Sequence, residues 1–217
     1  MKNLIYVLII TGLFSLSENY AQGIGEVAPQ KPLEVFPSNA WGMDIMVGDA
    51  GFGLGTFLRK QLDVKWTATA DISVSEAKDE REFEFYDYFL GTFVTANKKN
   101  RIFQIPLNLG MQYRLFENSI TDNLRPYLNA AVGPTLIVTT PYADEFFNAF
   151  GKAQAKYAVG GYIGFGANFG LDKSSLLGIN VRYYYSQVLG DGVESLEGKV
   201  RKNIQGFFIT LNLGLMY

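Results

Sequence analysis

From Trp41 to Tyr217 the chain alternates, residue by residue, between apolar side chains and small or polar ones. Successive residues of a β-strand point to opposite faces, so this alternation predicts strands with one apolar face each. The C-terminal stretch shows it best. Phe207, Ile209, Leu211, Leu213, Leu215 and Tyr217 share one face. Gly206, Thr210, Asn212 and Gly214 share the other, with Phe208 and Met216 as its only large apolar members. Residues 101–116 repeat the pattern, with Phe103, Ile105, Leu107, Leu109, Met111, Tyr113 and Leu115 opposed by Gln104, Pro106, Asn108, Gly110, Gln112 and Arg114. Six further segments, 42–48, 52–59, 64–75, 124–140, 157–171 and 176–189, read the same way.

Most of these segments reach the 9–11 residues, roughly, that a tilted strand needs to cross a bilayer. From the third strand onward the connections alternate: long at 76–100, 141–156 and 190–203, short at 117–123 and 172–175. Long loops at one end and short turns at the other, with an even strand count, mark a membrane barrel. The fold class predicted is all-β, an eight-stranded antiparallel up-and-down transmembrane β-barrel. A soluble sandwich or lipocalin-like barrel would bury the Phe, Leu and Tyr rows and expose rows of Gly, Asn and Thr. Soluble surfaces carry more charge than that, and here charge gathers in turns and loops.

Composition refines this reading. Residues 1–21 hold Lys2, an apolar run to Leu16 and a small-residue boundary at Ala21, the pattern of a cleaved signal peptide. Residues 22–40 carry Pro29, Pro32 and Pro37 and read as a periplasmic N-terminal linker, leaving 41–217 as the barrel. The net charge of -2 gives no footing for nucleic acid. With no Cys, disulfides and an acylated anchor are both excluded.

Residues 42–54 (GMDIMVGDAGFGL), 105–110 (IPLNLG), 125–128 (RPYL) and the aromatic terminus resemble small outer-membrane β-barrel proteins of Bacteroidota, OmpA-like barrels without a periplasmic domain. The resemblance spans about residues 41–217 and implies the cell outer membrane, periplasmic termini, extracellular long loops and contact with outer-membrane lipid. Thr210, Leu215 and Tyr217 match the assembly signal that the barrel-assembly machinery reads in such proteins, although Asn212 stands where Gly is frequent and the last residue is Tyr rather than Phe.

Candidate chemistry is sparse. The chain has no His and no Cys, which removes the usual neutral-pH base, thiol nucleophiles and Cys/His metal sites. Carboxylate pairs such as Asp79-Glu80 read as solvated loop surface. No enzyme activity and no cofactor are expected. The polar face predicts a lumen network including Asp44, Asp71, Arg114, Arg125 and Arg182. It reads either as a charged permeation path or as a polar plug whose groups satisfy one another; the narrow bore of eight strands favours the plug. Phe83, Phe85, Tyr86, Tyr88, Phe146, Phe147 and Phe150 in the loops read either as rings packing on one another or as partner contacts. Function by this reading is an accessory or structural subunit of an outer-membrane complex, such as the assembly or type IX secretion apparatus. The alternative is a stand-alone transport or ligand-binding barrel, with a lipid-modifying enzyme as a third option.

Overall fold

The computed structural model describes residues 36–217 except 50, 90, 121, 122, 171 and 172. The expected signal peptide and most of the expected linker therefore lie outside the described residues. The strands run β1 (Asn39–Gly48), β2 (Gly51–Gln61), β3 (Trp66–Glu76), β4 (Glu84–Asp87), β5 (Thr92–Thr95), β6 (Asn100–Arg114) and β7 (Leu124–Pro141). A short helix α1 (Phe146–Ala149) precedes β8 (Gln154–Phe169), β9 (Ser175–Val188), β10 (Val193–Leu196), β11 (Lys199–Arg201) and β12 (Asn203–Met216). Eight of them close a barrel in the order β1-β12-β9-β8-β7-β6-β3-β2, and every pairing is antiparallel. The last strand meets the first from Ala40↔Met216 to Gly48↔Phe208. Backbone bonds between Asn39 and Tyr217, of 2.9 and 3.2 Å, continue that seam to the final residue. Closure leaves no unpaired edge, the condition for a sheet to stand in hydrocarbon.

The alternation places the faces as expected. Leu109, Val132 and Ile163 point outward, with 64, 70 and 66 % of their surface uncovered by protein. Leaving such a band in water would cost about 25 cal/mol per Å²; lipid removes that cost. Toward the short-turn end Trp41, Trp66, Tyr113, Phe169 and Tyr217 face out, and the Trp66 and Tyr113 rings lie 4.8 Å apart. Toward the long-loop end Tyr157, Tyr183, Tyr185 and Phe207 do the same. Aromatic girdles of this kind sit at the two membrane interfaces of transmembrane barrels.

Boundaries moved slightly. β1 opens at Asn39, two residues before the expected barrel start, because Asn39 and Ala40 already pair with Lys60 and Arg59. The long connections hold regular structure that period-two reading did not resolve. β4 and β5 form one hairpin, β10 and β11 another, and α1 lies between β7 and β8. A bridge between Lys98, past the end of β5, and Leu196 on β10 ties the two connections together.

Inside, the lumen is layered. Near the long-loop end Ala77, Ile102, Ile137, Ala158, Val188, Val193 and Ile204 form one apolar cluster. Met46, Ala131, Tyr162, Tyr184 and Phe208 form the next. Ala40, Phe57, Leu176 and Met216 form a third near the short turns. Polar side chains fill the space between the second and third layers.

Candidate functional site

The central polar layer is built by register. Asp44 on β1 lies opposite Asn212 on β12, and Arg182 on β9 lies opposite Phe208 on β12 and Gly164 on β8. One guanidinium nitrogen of Arg182 donates to Asp44 Oδ2 at 3.0 Å, and the same nitrogen reaches the Tyr184 hydroxyl at 3.2 Å. The Asn212 amide donates to the other Asp44 oxygen. Asp71 accepts from Asn108 Nδ2 at 3.1 Å and from the Tyr162 hydroxyl at 2.9 Å. Tyr162 links the two carboxylates, since Arg182 sits 4.8 Å over its ring. Asp44, Asp71 and Arg182 are each at least 96 % buried, so charges removed from water on this scale require partners.

Glycine makes the room. A Cβ on Gly164 would lie 2.5 Å from Asn129 Oδ1, and one on Gly178 would lie 2.7 Å from Asn168 Oδ1. The layer is not wholly self-satisfied, however. The side-chain amides of Asn129 and Asn180 are buried without a protein partner.

The five expected lumen residues therefore divide. Asp44, Asp71 and Arg182 come together at mid-barrel. Arg114 and Arg125 lie apart from them, at the short-turn mouth, where they line a cavity of about 290 Å³ with Phe36, Tyr127 and Asn168. Arg125 sits 3.8 Å over the Phe36 ring, and Arg114 donates to the Ile120 carbonyl at 3.3 Å. Sequence reading missed Arg59 here. It points inward beyond Phe57, as its parity with Phe57 and Gln61 requires, and donates to Asn168 Oδ1 at 3.0 Å. Tyr162 and Tyr184 fall on the inner face by parity with Gly164 and Arg182, and only their neighbours across the bore identify them as polar partners.

At the long-loop mouth one expectation is corrected. Asp79 and Glu82 are not solvated loop surface: their side chains are 3 and 4 % exposed. Asp79 takes Arg81 at 2.8 Å and faces Arg201 at 3.8 Å, while Glu82 takes Lys98 at 2.9 Å and the Ser195 hydroxyl at 2.5 Å. The two hairpins pack across the opening and bury these acids, which no local pattern announces. Bonds from Arg81 hold the Asp79 carboxyl below its ordinary range despite its burial. Burial pushes Glu82 upward, but bonds from Ser195 and Lys98 outweigh it and leave the group lowered.

The loop rings are exposed in two groups. Tyr86 contacts Tyr88 and Phe93, at 5.2 and 5.3 Å between centroids. Phe146 contacts Phe147 and Phe150, and both Phe146 and Phe150 contact Phe103 on β6. Phe83 and Phe85 are 70 and 43 % exposed. Of the terminal residues, Thr210 is fully buried in the lumen, whereas Leu215 and Tyr217 face outward.

No protein-family model matches the chain, and no curated protein matches it. Solved structures do. The surface protein NspA of Neisseria is similar over 82 % of this chain and 94 % of its own, at 9 % identity and a TM-score of 0.47. The N-terminal β-barrel domain of Pseudomonas aeruginosa OprF covers 83 and 97 %, at 14 % identity and a TM-score of 0.42. The outer-membrane protein AlkL, solved in lipid bilayers, covers 88 and 95 %, at 17 % identity and a TM-score of 0.43. The likeness concerns the barrel alone.

Proposed function

We propose that the chain is a non-enzymatic outer-membrane β-barrel with a closed lumen, serving as an accessory or structural subunit of a larger outer-membrane assembly or secretion complex. The filled bore carries this reading. Three apolar layers and the Asp44–Arg182 layer occupy the interior of a barrel already narrow by strand number. A protein that neither conducts nor catalyses has its surfaces left to act with, and the exposed rings Phe83, Phe85, Tyr86, Tyr88, Phe146, Phe147 and Phe150 suit a protein contact. The lack of His and Cys supports the non-enzymatic part. The proposed topology has a cleaved signal peptide at 1–21, periplasmic termini and extracellular long loops, as in barrels of the Bacteroidota kind. The machinery that inserts barrels would read Thr210, Leu215 and Tyr217.

Two measurements test it. In planar bilayers the purified protein is expected to give no reproducible single-channel steps; steps that vanish on substituting Arg182 refute the closed lumen. Extraction in mild detergent at native expression should recover partner proteins, and recovery of this chain alone refutes the subunit role. The runner-up, a stand-alone ligand-binding barrel, draws on the arginine-lined mouth.

A further inference from the structure

The two groups of loop rings stand on different parts of the molecule. Tyr86, Tyr88 and Phe93 belong to the β4–β5 hairpin, whose connection packs with that of β10–β11 across the mouth of the bore. The second group belongs to the outer wall. Phe103 shares its face of β6 with Ile105, Leu107 and Leu109, a row that meets lipid. The Phe150 ring stacks on Phe103 at 5.8 Å and 28°, and the Phe146 ring meets it edge-on at 6.2 Å. Phe103 is half-buried where Leu107 and Leu109 of the same row stay exposed, because these two rings cover it. Arg101 fastens the connection to the same wall. It stands two positions from Phe103 and so shares its face. Its guanidinium donates to the carbonyls of Pro141 and Asp144 at 3.0 and 3.3 Å, and it lies 4.8 Å over the Tyr142 ring and 5.9 Å from the centre of Phe146. The chain leaving β7 is thereby held against the outside of the rim.

This places α1 beside the long-loop girdle. Ile105 pairs with Leu136, and Leu136 pairs with the girdle residue Tyr157. Phe103 stands two residues, about 7 Å, further along β6. The rings that cover Phe103 remain open on their other side: Phe146 and Phe150 are 44 and 45 % exposed, and Phe147 is 79 % exposed. Polar residues flank them. Asn148 donates to Glu145 at 2.8 Å, and Lys152, in the 3-10 turn Phe150–Lys152, pairs with Asp144 at 2.9 Å. A short element with aromatic and charged side chains suits the boundary between acyl chains and headgroups. We infer that α1 and the turn after it lie in the bilayer interface at the long-loop end, with Phe146, Phe147 and Phe150 inserted among lipid chains beside the barrel wall. The occupant is lipid because the ring patch continues the lipid-facing row through Phe103. A protein seated on it would have to displace lipid from that row. The β4–β5 rings stay with the protein contact proposed above, and only the α1 rings leave that set. The inference rests on the barrel crossing the bilayer and not on which compartment its loops face.

The test uses the full chain folded into vesicles of phosphatidylcholine brominated near the top of its acyl chains, with no other protein present. Trp41→Phe and Trp66→Phe together remove both native tryptophans. In that background Phe147→Trp supplies the probe, Tyr157→Trp the lipid-facing reference and Tyr88→Trp the reference on the β4–β5 hairpin. Bromine should quench Phe147→Trp at least about half as strongly as Tyr157→Trp, and more strongly than Tyr88→Trp. Quenching below that level, or no greater than that of Tyr88→Trp, overturns the inference. The boiled-versus-unboiled gel shift shows that each variant has closed its barrel. Phe150→Trp reads the same interface if Phe147→Trp fails to fold. Recovery of the native chain without partners would refute the subunit role and leave this result untouched, since the vesicles offer the rings lipid alone.

Discussion

Arg182→Met is the most informative single change in the lumen. It keeps the unbranched stem of the side chain and removes the guanidinium with its charge. Arg182 and Asp44 are 2 and 1 % exposed and 3.0 Å apart. At an effective dielectric of about 20 their attraction is about 5 kcal/mol. Breaking a buried pair by removing one partner costs about 3–5 kcal/mol, because the other charge stays in place. Here Asp44 would keep only the Asn212 amide, and Asp71, one tyrosine away, would lose a nearby cation. A loss near the upper end, about 4 kcal/mol, is therefore expected. The Asp44→Asn/Arg182→Met double variant should lose at least about 2 kcal/mol less than the two single losses together, since no charge of the pair then remains uncompensated. Urea unfolding in phospholipid vesicles, followed by the fluorescence of the lipid-facing Trp41 and Trp66, measures both quantities. A single-variant loss under about 1 kcal/mol, or additivity within about 0.5 kcal/mol, would refute the view that this pair holds the bore together.

Three further outcomes follow from the same structure. Asp79 and Glu82 have folded-state affinities for protons below their unfolded values, so their contribution to the loop cap is complete above about pH 4.5 and lost as pH falls through the depressed values; hydrogen exchange should show amides of residues 77–99 and 193–201 losing protection as the pH is stepped down from there while β6 and β7 keep theirs, and equal loss in both regions contradicts it. Gly164→Val sets a Cβ 2.5 Å from Asn129 Oδ1 and 2.7 Å from the Val181 carbonyl, and should destabilise the barrel by about 1–3 kcal/mol, against a few tenths for the lipid-facing Ile163→Val; urea midpoints compare them. Deleting Tyr217 removes its two backbone bonds to Asn39 at the seam, and a reduced fraction of heat-modifiable barrel in outer-membrane fractions is expected, with an unchanged fraction counting against an assembly role.

The strands were legible because a sheet one layer thick, bounded by lipid outside and packed side chains inside, writes a period of two into the chain. Phe207 to Tyr217 and Phe103 to Leu115 declare their faces with no help from neighbours. The hairpins β4–β5 and β10–β11 declare nothing comparable. Their strands span three or four residues, too few for a period, and their stability comes from Lys98, Glu82 and Ser195, which meet only when the loops fold across the mouth. Arg59 was missed for a related reason. It ends the segment 52–59 expected from the sequence, beside a turn where a cation is ordinarily solvated, whereas β2 runs on to Gln61 and parity with Phe57 turns Arg59 inward.

By itself the amino-acid order determined the number of barrel strands, their facing and the barrel they close, because each depends on the solvent seen by alternate side chains along one strand. It also named several of the inner polar residues, Asp44, Asp71 and Arg182 among them. What it could not supply was their partnership. Arg182 reaches Asp44 across 138 positions of sequence, and Tyr162 reaches Asp71 across 91. Which inner charges neutralise one another at mid-barrel, and which are left facing the short-turn mouth, depends on the strand stagger around a closed ring. That stagger sets the height of every inner residue along the bore, and no single strand carries it.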